Sequence, residues 1–141
     1  MRPADRPGTR RWLLLPAAVL VLSGLAAGCS SSKPAYCADA ANLKTSVSNL
    51  GNVDVATNGL GSLQTALNSV TSNANKFASD AKSAFPSQTA ALNTSLSALQ
   101  TAITSAKGQP PVTAAAAVVS AVTQVKNSAS SLQSAASGKC Q

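Results

Sequence analysis

Residues 60–85, LGSLQTALNSVTSNANKFASDAKSAF, decide the fold. Leu60, Leu63, Leu67, Val70, Ala74, Phe77, Ala81 and Phe85 recur at steps of three and four, and the positions between them are mostly Ser, Thr, Asn, Gln and Lys. A strand would place alternate residues on one face, whereas a helix places residues three and four apart there. The stretch therefore reads as a long helix with one apolar face and one face of hydroxyls and amides.

The same spacing repeats on either side. Tyr36, Ala40, Leu43, Val47 and Leu50 form one stripe, and Leu92, Leu96, Leu99, Ile103 and Ala106 another. Val118, Val122, Val125, Ala129, Leu132 and Ala136 form the last. No segment alternates with period two for long enough to build a sheet. Gly51-Asn52 suits a helix C-terminus, and Phe85-Pro86-Ser87 suits a boundary, because Pro restricts the residue before it and Ser caps the next helix. Gly108-Gln109-Pro110-Pro111 marks the third break. Connections this short make neighbours antiparallel, so the expected fold is all-α, an up-down-up-down antiparallel four-helix bundle over residues 37–141. The first helix spans only about 20 Å against nearly 40 Å for the second and fourth. Either Gly51 to Gly59 covers the shortfall in extended form with Val53 and Val55 turned inward, or helix two starts at Asp54 as its cap with Gly59 and Gly61 inside it.

Residues 1–28 read as an export signal. Arg2, Arg6, Arg10 and Arg11 make a basic start, and Trp12 to Gly28 carries no charge. Pro16, Ser23 and Gly24 interrupt that run, which is marginal for a membrane-spanning helix of about 20 residues. It ends in Leu25-Ala26-Ala27-Gly28-Cys29, which resembles the bacterial lipobox, with Ala26 where Leu is commonest. The resemblance implies that the Cys29 thiol receives a diacylglyceryl group and that cleavage leaves Cys29 as the new N-terminus. Residues 29–36 are then a lipidated tether. Thr9-Arg10-Arg11-Trp12-Leu13-Leu14 also resembles a twin-arginine signal, whose pathway carries prefolded, often cofactor-loaded proteins. Nothing later looks cofactor-binding, so the general secretory route is the expectation.

Three cysteines leave one over in an exported protein, and lipidation of Cys29 resolves the oddity. Cys37 and Cys140 remain as a pair outside the reducing cytosol. An up-down-up-down bundle puts both chain ends together, so the expected disulfide is Cys37–Cys140. It would close a loop of about 100 residues, which the chain-entropy model values at about 4–5 kcal/mol.

The chain contains no His and no Glu, with 45% hydrophobic, 3% aromatic and 11% charged residues. Triad chemistry and imidazole metal sites are excluded, and three Asp in the mature chain are poor material for paired-carboxylate catalysis. No catalytic residue, cofactor or metal site is expected. After cleavage seven Lys face three Asp, a charge of +4. Those lysines are scattered, with no Arg and few aromatics among them, so nucleic acid is not an expected partner. Ser79-Asp80-Ala81-Lys82 and Ser30-Ser31-Ser32-Lys33 match the S-x-x-K motif of penicillin-binding enzymes. In a chain this rich in Ser such matches arise by chance, and the companion motifs are absent. Asp39, Asp54 and Asp80 read as helix-terminal or surface residues. Val118, Val119 and Val122 widen the apolar arc of the fourth helix, as a deeply buried helix or as a docking face.

The composition resembles that of small Ala-, Ser- and Thr-rich secreted helical proteins of high-GC Gram-positive bacteria. The expected function is that of a non-enzymatic interaction, structural or accessory module at the cell envelope. It would be held on the outer face of the cytoplasmic membrane by the lipid on Cys29, with an envelope protein as partner. The alternative is a carrier holding an acyl chain or other small apolar ligand between its helices. A Val- and Leu-lined cavity of several hundred Å³ would favour the carrier, and a solid Ala/Leu core the module. Changing Cys29 to Ser should release the protein from membranes or stall its processing; normal maturation with retained membrane attachment, read by fractionation and N-terminal sequencing, would contradict the lipobox assignment.

Overall fold

The stretches of three-four spacing become four α-helices in the computed structural model, which describes residues 33–81 and 83–141. The expected signal over residues 1–28, Cys29 and Lys82 lie outside the described residues. The helices are α1 (Ala35–Gly51), α2 (Val55–Asp80), α3 (Pro86–Ala106) and α4 (Pro111–Ser137). They pack as an all-α bundle in which α2 and α4 each touch every other helix, while α1 and α3 occupy opposite corners and do not meet.

Cross-helix contacts give the sense of packing. Cys37 at the start of α1 is bonded to Cys140 just past α4, and Gly51 at the other end of α1 lies against Lys126. Gln64 and Gln100 exchange hydrogen bonds, while Phe77, later in α2, packs on Phe85 just ahead of α3. In both pairs later positions on one helix meet earlier positions on the other, as in antiparallel neighbours.

Burial follows the stripes. Leu43, Leu50, Leu63, Leu67, Leu99 and Leu132 are fully buried, with Val70, Val125, Ile103 and Phe77 among them. Ala74, Ala81, Ala106, Ala129 and Ala136 are buried stripe positions too, and their small side chains let the helices approach closely. Two stripes shift by a residue. In α1 the buried position is Asp39, with Ala40 only half-buried, and in α4 Ala121 is buried in place of Val122.

The boundaries have local causes. Pro86 and Pro111 occupy the first helical positions of α3 and α4, where a missing N–H costs nothing and the fixed φ suits the helix. Ser87 therefore does not cap α3. Asp54 caps α2, accepting from the N–H groups of Ala56 and Thr57 at 2.9 and 3.2 Å, and the Thr57 hydroxyl donates to its other oxygen at 2.8 Å. Gly59, at φ 75°, then breaks the helix, so residues 55–58 form one turn before α2 proper. Elements of both expectations for this segment hold: Asp54 is the cap, and Val53 and Val55 still turn inward, half-buried and buried.

α1 begins at Ala35, two residues earlier than the expected start at Cys37. The disulfide joins residues 103 apart in sequence, with Cα atoms 5.8 Å from each other. Reducing it should remove about 4–5 kcal/mol of stability. The thermal midpoint by circular dichroism should fall markedly while the low-temperature helical spectrum stays native; equal midpoints with and without reductant would show that the crosslink contributes nothing.

Candidate functional site

Two regions concentrate the residues with chemistry. The first is the disulfide end. Tyr36 packs edge-on against Phe77 and Phe85, with ring centroids at 6.1 and 5.4 Å, and Phe77 and Phe85 lie 5.8 Å apart. Apart from Trp12 these are all the aromatic residues of the chain, gathered where the first turn of α1, the end of α2 and the residue just ahead of α3 come together.

Beside them Asp39 is buried at 2% exposure, a correction to its expected place at a terminus or on the surface. It lies three residues after Tyr36 and four before Leu43, so the helix turns it into the core interface. The Lys76 ammonium, at the end of a 62% exposed side chain, donates to Asp39 Oδ1 at 2.7 Å and to Asp80 Oδ2 at 3.5 Å. Asp39 Oδ2 is buried and accepts no hydrogen bond from the described residues. The hydrogen bond from Lys76 holds the Asp39 carboxyl below its ordinary value, against the upward push of burial. Asp39 in turn raises the Lys76 ammonium. Asp54 is likewise lowered, first by the Thr57 hydroxyl and then by the Thr57 and Ala56 N–H groups.

The second region is a groove of about 270 Å³ at the opposite end. Leu50, Leu63 and Val118 form its apolar floor, and Val119 and Val122 its lip. Val118 is buried and Val119 is 60% exposed, so the wide apolar arc of α4 divides between core and groove. Asp54 and Lys126 stand at the rim. A shallower depression of about 230 Å³ runs between α1 and α4 beside the disulfide, with Lys44 and Gln133 along it.

Of the residues singled out in the sequence, Cys37 and Cys140 are brought together. Ser79 is exposed, and its motif partner Lys82 lies outside the described residues, as does Cys29. Among the described residues no three metal-ligating side chains cluster, and no helix is long and apolar enough to cross a membrane. Comparisons with protein-family models, curated proteins and solved structures find no match.

The pairing of buried Asp39 with Lys76 makes the disulfide end sensitive to acid. A carboxyl whose folded pKa lies below its unfolded value, near 3.8, stabilises the fold above that value and loses the contribution as pH falls through the folded one. Lys76, raised above 10.5, keeps its contribution below that pH and loses it above. The urea midpoint should thus be flat in this term from about pH 5 to 9 and fall below pH 4. Lys76→Met should flatten or reverse this acid limb, because burial then raises the Asp39 carboxyl without its principal partner, and protonation relieves a buried charge as pH falls. An acid limb identical in wild type, Lys76→Met and Asp39→Asn would show that the pair carries no linkage.

Proposed function

We propose that the chain is an exported, lipid-anchored, non-enzymatic helical-bundle module that acts by contact close to the outer face of the cytoplasmic membrane. The Cys37–Cys140 bond is the observation that carries this reading. It ties the end of α4 to the first turn of α1, so the end of the bundle nearest Cys29 in the chain is also its crosslinked end. With α1 starting at Ala35, only Ser30 to Pro34 separate Cys29 from the helix. Five extended residues reach at most about 18 Å. Lys33 and Lys139 belong to that same end, and each positive charge near anionic lipid adds about 1 kcal/mol.

A module held so close has a restricted set of partners: a membrane protein, a lipid headgroup or the innermost envelope layer. The hydroxyl- and amide-rich surface suits neutral, hydrogen-bonding contact better than electrostatic capture, since the mature chain has only three Asp against seven scattered Lys.

Inserting about 30 flexible residues after Ser32 would add roughly 30 Å of average reach. Short-range crosslinking of the anchored protein in its native membrane should then lose the partners captured by the wild type. An unchanged set of partners with the long tether, or with a soluble form lacking Cys29, would sink the reading.

A further inference from the structure

The groove at the far end arises from a mismatch in helix length. α1 has 17 residues and α4 has 27, about 25 Å against about 40 Å. Because the disulfide aligns the first turn of α1 with the end of α4, the shortfall falls at the opposite end. There Val112, Ala115, Val119 and Val122 follow one another along α4 at steps of three and four, beyond Lys126, which meets the end of α1 at Gly51. The turn at 55–58 covers part of this strip, with Val55 buried and Val53 half-buried. The groove is what that cover leaves open.

Its two rim charges are not equivalent. Asp54 is engaged through both oxygens as the cap of α2. Lys126 has no acidic partner among the described residues. Its stem lies over Gly51, where an added β-carbon would come within 3.2 Å of Lys126 Cδ and 3.5 Å of Nζ. An ammonium with no carboxylate partner among the described residues therefore stands at one edge of an apolar trough.

We propose that this groove binds a medium-chain carboxylate, an unbranched acyl chain of about eight to ten carbons with its carboxylate at Lys126 Nζ. The volume sets the length. At about 270 Å³ the groove is nearly twice the ~150 Å³ apolar cavity that accepts the six carbons of benzene, so about eight to ten carbons are in proportion. A two-turn helix about 10 Å wide occupies roughly 850 Å³, three times the groove, so a partner helix would rest on the rim with most of its surface outside. A second copy of the chain fits no better. The exposed large apolar side chains here are Val119 and Val112, far short of the ~800 Å² per partner of a stable interface. The charge selects the head group: one ammonium offsets one negative charge, and Asp54 on the same rim disfavours a doubly charged phosphate. Binding here goes beyond the module reading and does not depend on the lipid anchor.

The test uses the full chain in membranes, with diazirine-bearing decanoate as the photo-crosslinking probe and the matching decanol and decyltrimethylammonium probes as controls. Cleavage at Lys should place the decanoate label in peptides 45–76 and 108–126, which hold the groove residues. Decanoate should label them about tenfold more than the cationic probe, the scale of one charge-assisted hydrogen bond. Lys126→Gln should bring decanoate down to the level of decanol. Val122→Trp should abolish labelling by filling the trough, with the helical spectrum and intact disulfide as the check on folding. Val119→Asp, on an exposed lip that tolerates the change, should repel decanoate and spare the cation. Equal labelling by the three probes, label elsewhere on the bundle, or labelling that survives both valine variants would overturn the proposal. Probe-excluding crosslinks between two copies at these peptides would overturn it too.

Discussion

A single covalent bond sets where α1 can lie along α4. Cys37 is in the first turn of α1, and Cys140 follows the last residues of α4, so the crosslink fixes the register of the two helices at one end. Every difference in their lengths must then appear at the other end. A shorter first helix in a bundle without this bond could slide and share the exposed length between both ends. Here it cannot, and α4 is left with apolar residues that no helix covers. The chain answers with Asp54-capped residues 55–58, a helical turn that Gly59 sets off from the rest of α2. One turn carries Val55 into the gap and leaves the remainder as the groove.

The rest of the register comes from polar groups set into an apolar interface. A core of Leu, Val and Ala on stripes of similar spacing can in principle repack with one helix shifted by a heptad, at modest cost. Asp39 with Lys76 between α1 and α2, and Ser95 with Ser128 at 2.7 Å between α3 and α4, admit one alignment each. Shifting either helix pair would leave a buried carboxylate or hydroxyl without its partner, which costs more than the lost packing. Buried polar groups have this registry role in helical assemblies generally. The aromatic trio acts alongside, since Tyr36, Phe77 and Phe85 meet only when α1, α2 and the start of α3 are in this alignment.

The helix count, the boundaries near Gly51, Pro86 and Pro111, and the pairing of Cys37 with Cys140 are legible in the sequence because each rests on a local rule or on parity. Every apolar residue of the third stripe is buried as its spacing requires. Asp39 escapes such a reading because its charge argues for solvent, while its position between Tyr36 and Leu43 argues for the interface. Only the placement of Lys76, 37 residues away, decides between them. Val122 escapes for a different reason. Spacing puts it on the stripe, but a strict three-four alternation averages 3.5 residues per turn against 3.6 for a straight helix, so a long stripe drifts around its helix. Ala121 is then the buried position, and Val122 lies half-buried on the lip of the groove. The groove itself is the product of a length difference and a crosslink, and neither is a property of any one segment.

The helices obtain little from electrostatics of their own. None has an acidic residue in its first turn or a basic residue in its last. Thr45, Thr65, Thr94, Thr101, Thr104 and Thr123 each donate their hydroxyl to the carbonyl four residues back, an arrangement that helps the helix little. Packing and the crosslink must therefore carry the fold. Lys126 is a partial exception, supplied to the end of α1 from another helix: its ammonium lies over Gly51, where the partial negative charge of the helix C-terminus is concentrated. Asn52, the residue after Gly51, has an ordinary negative φ, so Gly51 is not there to provide a left-handed cap. A β-carbon there would press on the Lys126 stem at 3.2 Å, a contact that the exposed, flexible side chain relieves by shifting a few tenths of an ångström.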